Sequence, residues 1–225
     1  MIEKLAKVLT GFGIAFLSFV FGSIASVVYV QLYNLEYSSL PTVALFLLAS
    51  LSLLVSLLVL LIGLKVTHKT KWLQLKKPRP FIATFVLASI VYGILLFLSM
   101  ALLGYFLGEE VVNQSQELGF AFEDLSTLDL VLTGVLLIVL VPTVEEFLYR
   151  GVLFSSLRGV LPNWLAAVIV SGFFAFAHGQ VNVGVDTFIL SMVGCYLVIK
   201  TNSLLPAVLL HAAKNAIAFV LLVSL

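Results

Sequence analysis

Charge is what this sequence has least of. Only 10% of its 225 residues are Asp, Glu, Lys or Arg, against 62% hydrophobic, whereas a soluble domain carries about 25% charged residues. That shortage excludes an ordinary water-soluble globule. Net charge is +1, and the chain has no Lys/Arg-rich tail and no aromatic–basic interleaving, so no nucleic-acid partner is expected. Cysteine occurs once, at Cys195 within an apolar segment. No disulfide can therefore form within the chain, and Cys195 reads as a small buried hydrophobe. Internal repeats and low-complexity linkers are also missing, so residues 1–225 read as a single integral-membrane domain.

What the chain does have is apolar runs of about 18 residues or more, the signature of transmembrane helices. They predict an all-α polytopic transmembrane helix bundle of about seven spans, with six to eight compatible with the pattern. The spans fall near 9–32, 41–64, 81–107, 127–158, 164–178, 185–199 and 204–225, the sixth being short. The first run is longer than the h-region of a signal peptide, roughly 7–15 residues, and reads as a retained span. Half of the twelve Lys and Arg residues, Lys65, Lys69, Lys71, Lys76, Lys77 and Arg79, crowd the loop after the second span. The positive-inside rule places that loop, and with it the N-terminus, in the cytoplasm. Lys4, Lys7, Arg158 and Lys200 then fall on the same side, and Trp72 suits an interfacial anchor. From Gly108 to Asp129 the chain is acidic and lacks Lys and Arg, as suits an extracytoplasmic loop, read as an ordinary solvated one rather than one laid on the bilayer by Phe120 and Phe122. Ser126 with Asp129 reads as a helix N-terminal cap.

The few intramembrane charges are therefore informative, since each costs roughly 2.5 kcal/mol or more at a helix centre. In the fourth span Glu145, Glu146 and Arg150 follow Pro142, which removes a backbone donor and should kink the helix. Glu146 and Arg150 are four apart and pair across one turn. Glu145 is offset by about 100° on the helix and is left without that partner, the profile of a general base or a metal ligand. Later spans bring Phe174 and His178, then His211 and Asn215 on one helix face. Each His, taken alone, is as well explained by an interfacial position or a helix-to-helix hydrogen bond. Lys214 either snorkels to an interface or pairs with one of the Glu residues.

Taken together, Glu-Glu-x-x-x-Arg, Phe-x-x-x-His and His-x-x-x-Asn in this order resemble the CAAX-protease and bacteriocin-processing family of intramembrane endopeptidases. The resemblance covers about residues 127–220. It implies a peptide-bond hydrolase acting on a membrane-associated peptide or protein, with Glu145 as general base and His178 holding the attacking water. His211 and Asn215 would donate to the oxyanion, Glu146 and Arg150 would brace the site, and Phe174 would pack beside it. A cofactor is left open: a divalent metal such as Zn²⁺, held by Glu145, His178 and His211, or none. The zinc signature His-Glu-x-x-His is absent. A bacterial cell membrane is the expected setting.

Two other classes fit parts of this pattern. One is a non-catalytic membrane protein, such as a bacteriocin self-immunity or scaffold protein, that uses the polar cluster for packing. The other is a transporter, disfavoured because the first three spans hold almost no ionisable residues. The span limits also set a geometric condition. At about 1.5 Å per residue, Glu145 lies roughly 25 Å from the outer end of its span, and His178 roughly 21 Å from the inner end of its own. A shared site requires tilted helices or a bend at Pro142.

Overall fold

The structure is a computed structural model that describes residues 2–32, 42–73, 81–114 and 126–224. Seven longer helices carry the fold: α1 Ile2–Leu32, α2 Thr42–Val66, α3 Ile82–Leu107, α4 Thr127–Leu157, α5 Asn163–Phe176, α6 Val181–Thr201 and α7 Leu205–Ser224. Six of them are long and apolar enough to cross a membrane, and α5 is the shorter one. This is the expected all-α polytopic bundle of an integral membrane protein. Its outer surface is apolar: Phe97 is 73% exposed and Ile217 64%, as suits side chains that face lipid.

Two helices differ from the expected spans. The first starts at Ile2 and carries Lys4 and Lys7 within it. The sixth runs for 21 residues from Val181, because Asn182 anchors its polar start. The Asn182 amide donates to the carbonyls of Val112 at 3.2 Å and Gln114 at 2.7 Å. The short element is α5, whose 14 residues reach about 21 Å against a hydrocarbon core of about 30 Å.

The packed centre lies where the second half of α4 meets α5 and α6. Val152, Phe154, Val170, Cys195 and Val198 are fully buried there, and Cys195 is the small buried hydrophobe its sequence context indicates. The α1–α2 hairpin leans on this centre through Leu60 and Leu64. The two hairpin helices touch at Gly22, whose carbonyl accepts a hydrogen bond from Ser52 Oγ at 2.6 Å. A Cβ at Gly22 would lie 2.9 Å from the Ser52 carbonyl oxygen, so only glycine permits this approach.

Outside the polar cluster described below, basic residues gather at one end of the bundle. Lys7 Nζ donates to the Arg158 carbonyl at 2.7 Å, and Lys4, Lys7, Lys69 and Gly159 line one shallow depression. The expected cap opens α4: Asp129 N–H donates to Ser126 Oγ at 3.3 Å and Ser126 N–H to the Asp129 carboxylate at 3.1 Å. Lys76, Lys77, Arg79, Phe120, Phe122 and the Trp72 side chain lie outside the described residues.

Candidate active site

The site begins with the winding of α4. Pro142 lacks an N–H, and the helix answers by widening rather than breaking. Residues Leu136–Leu140 form a π-helical turn, in which the Val141 N–H reaches back to the Leu136 carbonyl. A second π-helical stretch covers Phe147–Phe154. Such turns insert an extra residue and commonly mark functional sites. The short α-helical piece between them, Val141–Glu146, carries both acids.

Arg150 is completely buried and its Nη1 lies 2.9 Å from Glu146 Oε1, the four-residue ion pair expected from the sequence. The guanidinium carbon stands 4.7 Å from the centre of the Phe174 ring. Gly194 on α6 makes the room: a Cβ there would lie 3.3 Å from Arg150 Nε. Glu146 Oε1 also faces His211 Nδ1 at 3.1 Å, so one carboxylate joins α4 to α7.

Glu145 points away from that pair, towards a cavity of about 490 Å³ whose wall also holds Tyr149, His178, His211, Lys214 and Asn215. Its Oε2 is buried and has no hydrogen-bond partner among the described residues. The facing group is His211 Nε2 at 3.7 Å, beyond hydrogen-bond length. His178 lies just past the end of α5, its Nδ1 2.7 Å from the Phe174 carbonyl oxygen. A carbonyl can only accept, so that nitrogen carries the proton and Nε2 is an acceptor. Phe174 is the hub of the aromatic contacts. Its ring centre lies 4.9 Å from that of His178, 5.7 Å from His211 and 4.7 Å from Tyr149, all edge-on.

The depth condition is therefore met. Glu145, His178, His211 and Asn215 all open on one cavity, because α5 is too short to carry His178 to the far surface and because α4 is rewound around Pro142. Asn215 makes a further contact that the sequence did not indicate: its Nδ2 donates to the Leu137 carbonyl at 2.8 Å. Sequence reading also missed a second polar cluster. Tyr92 of α3 donates to Asp186 Oδ1 at 2.5 Å, and Asp186 Oδ2 lies 3.1 Å from Lys214 Nζ. Tyr149 was findable, since it lies four residues after Glu145 and so shares its helix face; Tyr92 gave no periodic signal within an apolar run.

Among the described residues no three His, Cys, Asp or Glu side chains are grouped so as to hold a metal ion. His178 offers one free nitrogen, and both nitrogens of His211 face carboxylates. The three residues named for a metal do not form a ligand set in this geometry.

Residues 127–217 match the family model described as Rce1-like, type II CAAX prenyl endopeptidase. An Escherichia coli protein described as an uncharacterized 24.3 kDa protein is 33% identical over 95 residues, 40% of this chain. The match spans 44% of that relative's length. No solved structure matches. The matched stretch carries all three motifs and, with them, Glu145, His178, His211 and Asn215 of the cavity wall.

Proposed function

We propose that the protein is an intramembrane endopeptidase that cleaves a membrane-associated, CAAX-like substrate with a water activated by Glu145. The observation that carries this reading is the orphaned Glu145 Oε2 at the cavity wall, 3.7 Å from His211 Nε2. A water about 2.8 Å from each atom completes a triangle on that base. Glu145 takes a proton from it, and His178 Nε2, fixed as an acceptor by the Phe174 carbonyl, holds the second hydrogen. The resulting hydroxide attacks the scissile carbonyl, and Glu145 passes the proton on to the leaving amine.

Charge then develops on the carbonyl oxygen, where preorganised donors matter most. His211 stands between Glu146 and Glu145, and its Nε2–H, which first holds the water, turns to the oxyanion once hydroxide has added to the carbonyl. Asn215 has a second amide hydrogen beyond the one given to Leu137. Arg150 holds Glu146 in place. A bound divalent metal would supply Lewis-acid polarisation of the same carbonyl, but the donor set does not converge on one ion and no step above uses it. The bacterial cell membrane is the proposed location.

The decisive comparison is cleavage of a farnesylated peptide by purified wild type and Glu145→Gln in detergent, with and without chelator. The expected result is a loss of at least about 100-fold in rate for Glu145→Gln and no effect of chelator on the wild type. Equal cleavage by both proteins would refute the glutamate mechanism, and a chelator-induced loss restored by Zn²⁺ would replace it with a metal-dependent one.

A further inference from the structure

The lysines at the basic end of the bundle enclose a recess that three separate segments build. The first turns of α1 bring Lys4 and Lys7, the residues just past α2 bring Lys69, and the turn between α4 and α5 brings Gly159. The recess holds about 390 Å³, within the range of ligand pockets, about 300–1,000 Å³. Its charge is one-sided. Three lysines line it against one acid, Glu3, and the charges of Lys69, Lys71 and Arg158 all oppose that of Lys7. Like charges gathered this way favour an anion among them. Lys7 is oriented for one, since its Nζ donates to the Arg158 carbonyl at 2.7 Å, a carbonyl left over at the end of α4. That bond uses one of its three N–H donors. Gly159 helps to keep the recess open. Its φ of +80° favours glycine, and a Cβ there would stand 3.7 Å from Lys7 Nζ.

The surroundings identify the source of the anion. Both α2 and α4 end beside the recess, so it lies at a membrane surface. Ile2, Leu5 and Leu9, on the same turns of α1 as the lysines, are exposed, and so is Trp164 at the start of α5. Apolar side chains and a tryptophan at that level match acyl chains and the headgroup boundary, which a dissolved anion would not use. We propose that the recess binds the phosphodiester headgroup of an anionic phospholipid, with Lys4, Lys7 and Lys69 on the phosphate and acyl chains along Leu5 and Leu9. Basic pockets between membrane helices take lipid headgroups by the same chemistry. The bound lipid ties α1 to the end of α4, the helix that carries Glu145, and so stabilises the bundle. The inference stands apart from the peptidase reading.

Thermal unfolding of the full chain in a neutral detergent tests this. Phosphatidylglycerol, phosphatidylcholine and inorganic phosphate are added in turn at equal ionic strength. Phosphatidylglycerol is expected to raise the midpoint by at least about 4 °C, and the other two by less than about 1 °C. Lys4→Gln with Lys69→Gln, which spares the Lys7 bond, should remove at least about half of that rise. Lys65→Gln with Lys200→Gln removes two exposed cations from outside the recess and should leave the rise intact. Should the first pair fail to fold, Lys4→Gln alone against Lys65→Gln alone serves the same comparison. A rise with inorganic phosphate alone would make the recess a site for a dissolved anion and overturn the lipid assignment. No rise with phosphatidylglycerol, an equal rise with phosphatidylcholine, a rise that survives loss of Lys4 and Lys69, or one lost equally in both pairs would also overturn it.

Discussion

Asn215 Nδ2 donates to the carbonyl oxygen of Leu137 at 2.8 Å, and Pro142 is the reason that oxygen is free. In the π-helical turn the Val141 N–H is taken by the Leu136 carbonyl, so the next carbonyl, that of Leu137, would look to residue 142. Proline has no hydrogen to give. A side chain from α7 supplies it, which fixes the bend of α4 to the helix that carries His211.

This coupling predicts a non-additive pair of substitutions. Asn215→Leu should lower stability by about 1–3 kcal/mol, the penalty for an unsatisfied buried polar group. Pro142→Ala restores an N–H at position 142, so Asn215→Leu should cost less in that background. Thermal unfolding of the four proteins in detergent closes the double-mutant cycle. A coupling of zero would mean that Asn215 does not compensate for Pro142.

The two adjacent acids should separate cleanly by what their loss does. Glu146→Leu strips the buried Arg150 of its 2.9 Å partner, and breaking such a pair from one side typically costs about 3–5 kcal/mol. Glu145→Gln strands no buried cation, because His211 keeps Glu146 at 3.1 Å. Melting curves should therefore show Glu146→Leu strongly destabilised and Glu145→Gln unchanged or more stable. The reverse order would exchange the roles of the two residues.

Phe174 should matter to rate more than its size suggests. Its ring touches Tyr149, His178 and His211 edge-on and lies under Arg150. Phe174→Leu keeps much of the buried volume and removes the ring edges and face that orient both imidazoles. A stability loss of roughly 1–2 kcal/mol is expected, with at least about a tenfold fall in cleavage rate. A variant that cleaves like wild type would show that Glu146 and the Phe174 carbonyl position the histidines alone.

Much of this was legible in the chain, for reasons that can be named. Runs of apolar residues revealed the spans, because lipid permits little else. Four-residue spacing revealed the Glu146–Arg150 pair, and Ser126 with Asp129 revealed a cap. What stayed hidden required tertiary knowledge. Nothing in the spacing says that Pro142 would be met by a π-helical turn and an asparagine from the last helix. Lys214 could not be assigned a partner, because Asp186 lies in a different helix and Tyr92 in an otherwise apolar one. The depth mismatch between Glu145 and His178 came from treating every helix as straight and full-length; α5 is short and α4 is rewound.

The clustering of charge predicts the orientation in the membrane. Lys4, Lys7, Lys69 and Gly159 meet at one end of the bundle, where Lys7 also holds the Arg158 carbonyl. An end rich in Lys and Arg faces the cytoplasm. Asn113 follows α3, whose 26 residues extend about 39 Å and so exceed the hydrocarbon core, which puts it on the opposite side. Cys195 is completely buried, and Cys195→Ala should give a silent background. Within it, Asn113→Cys should react with a membrane-impermeant maleimide on intact cells, and Lys71→Cys only after permeabilisation. Labelling of Lys71→Cys from outside would invert the topology.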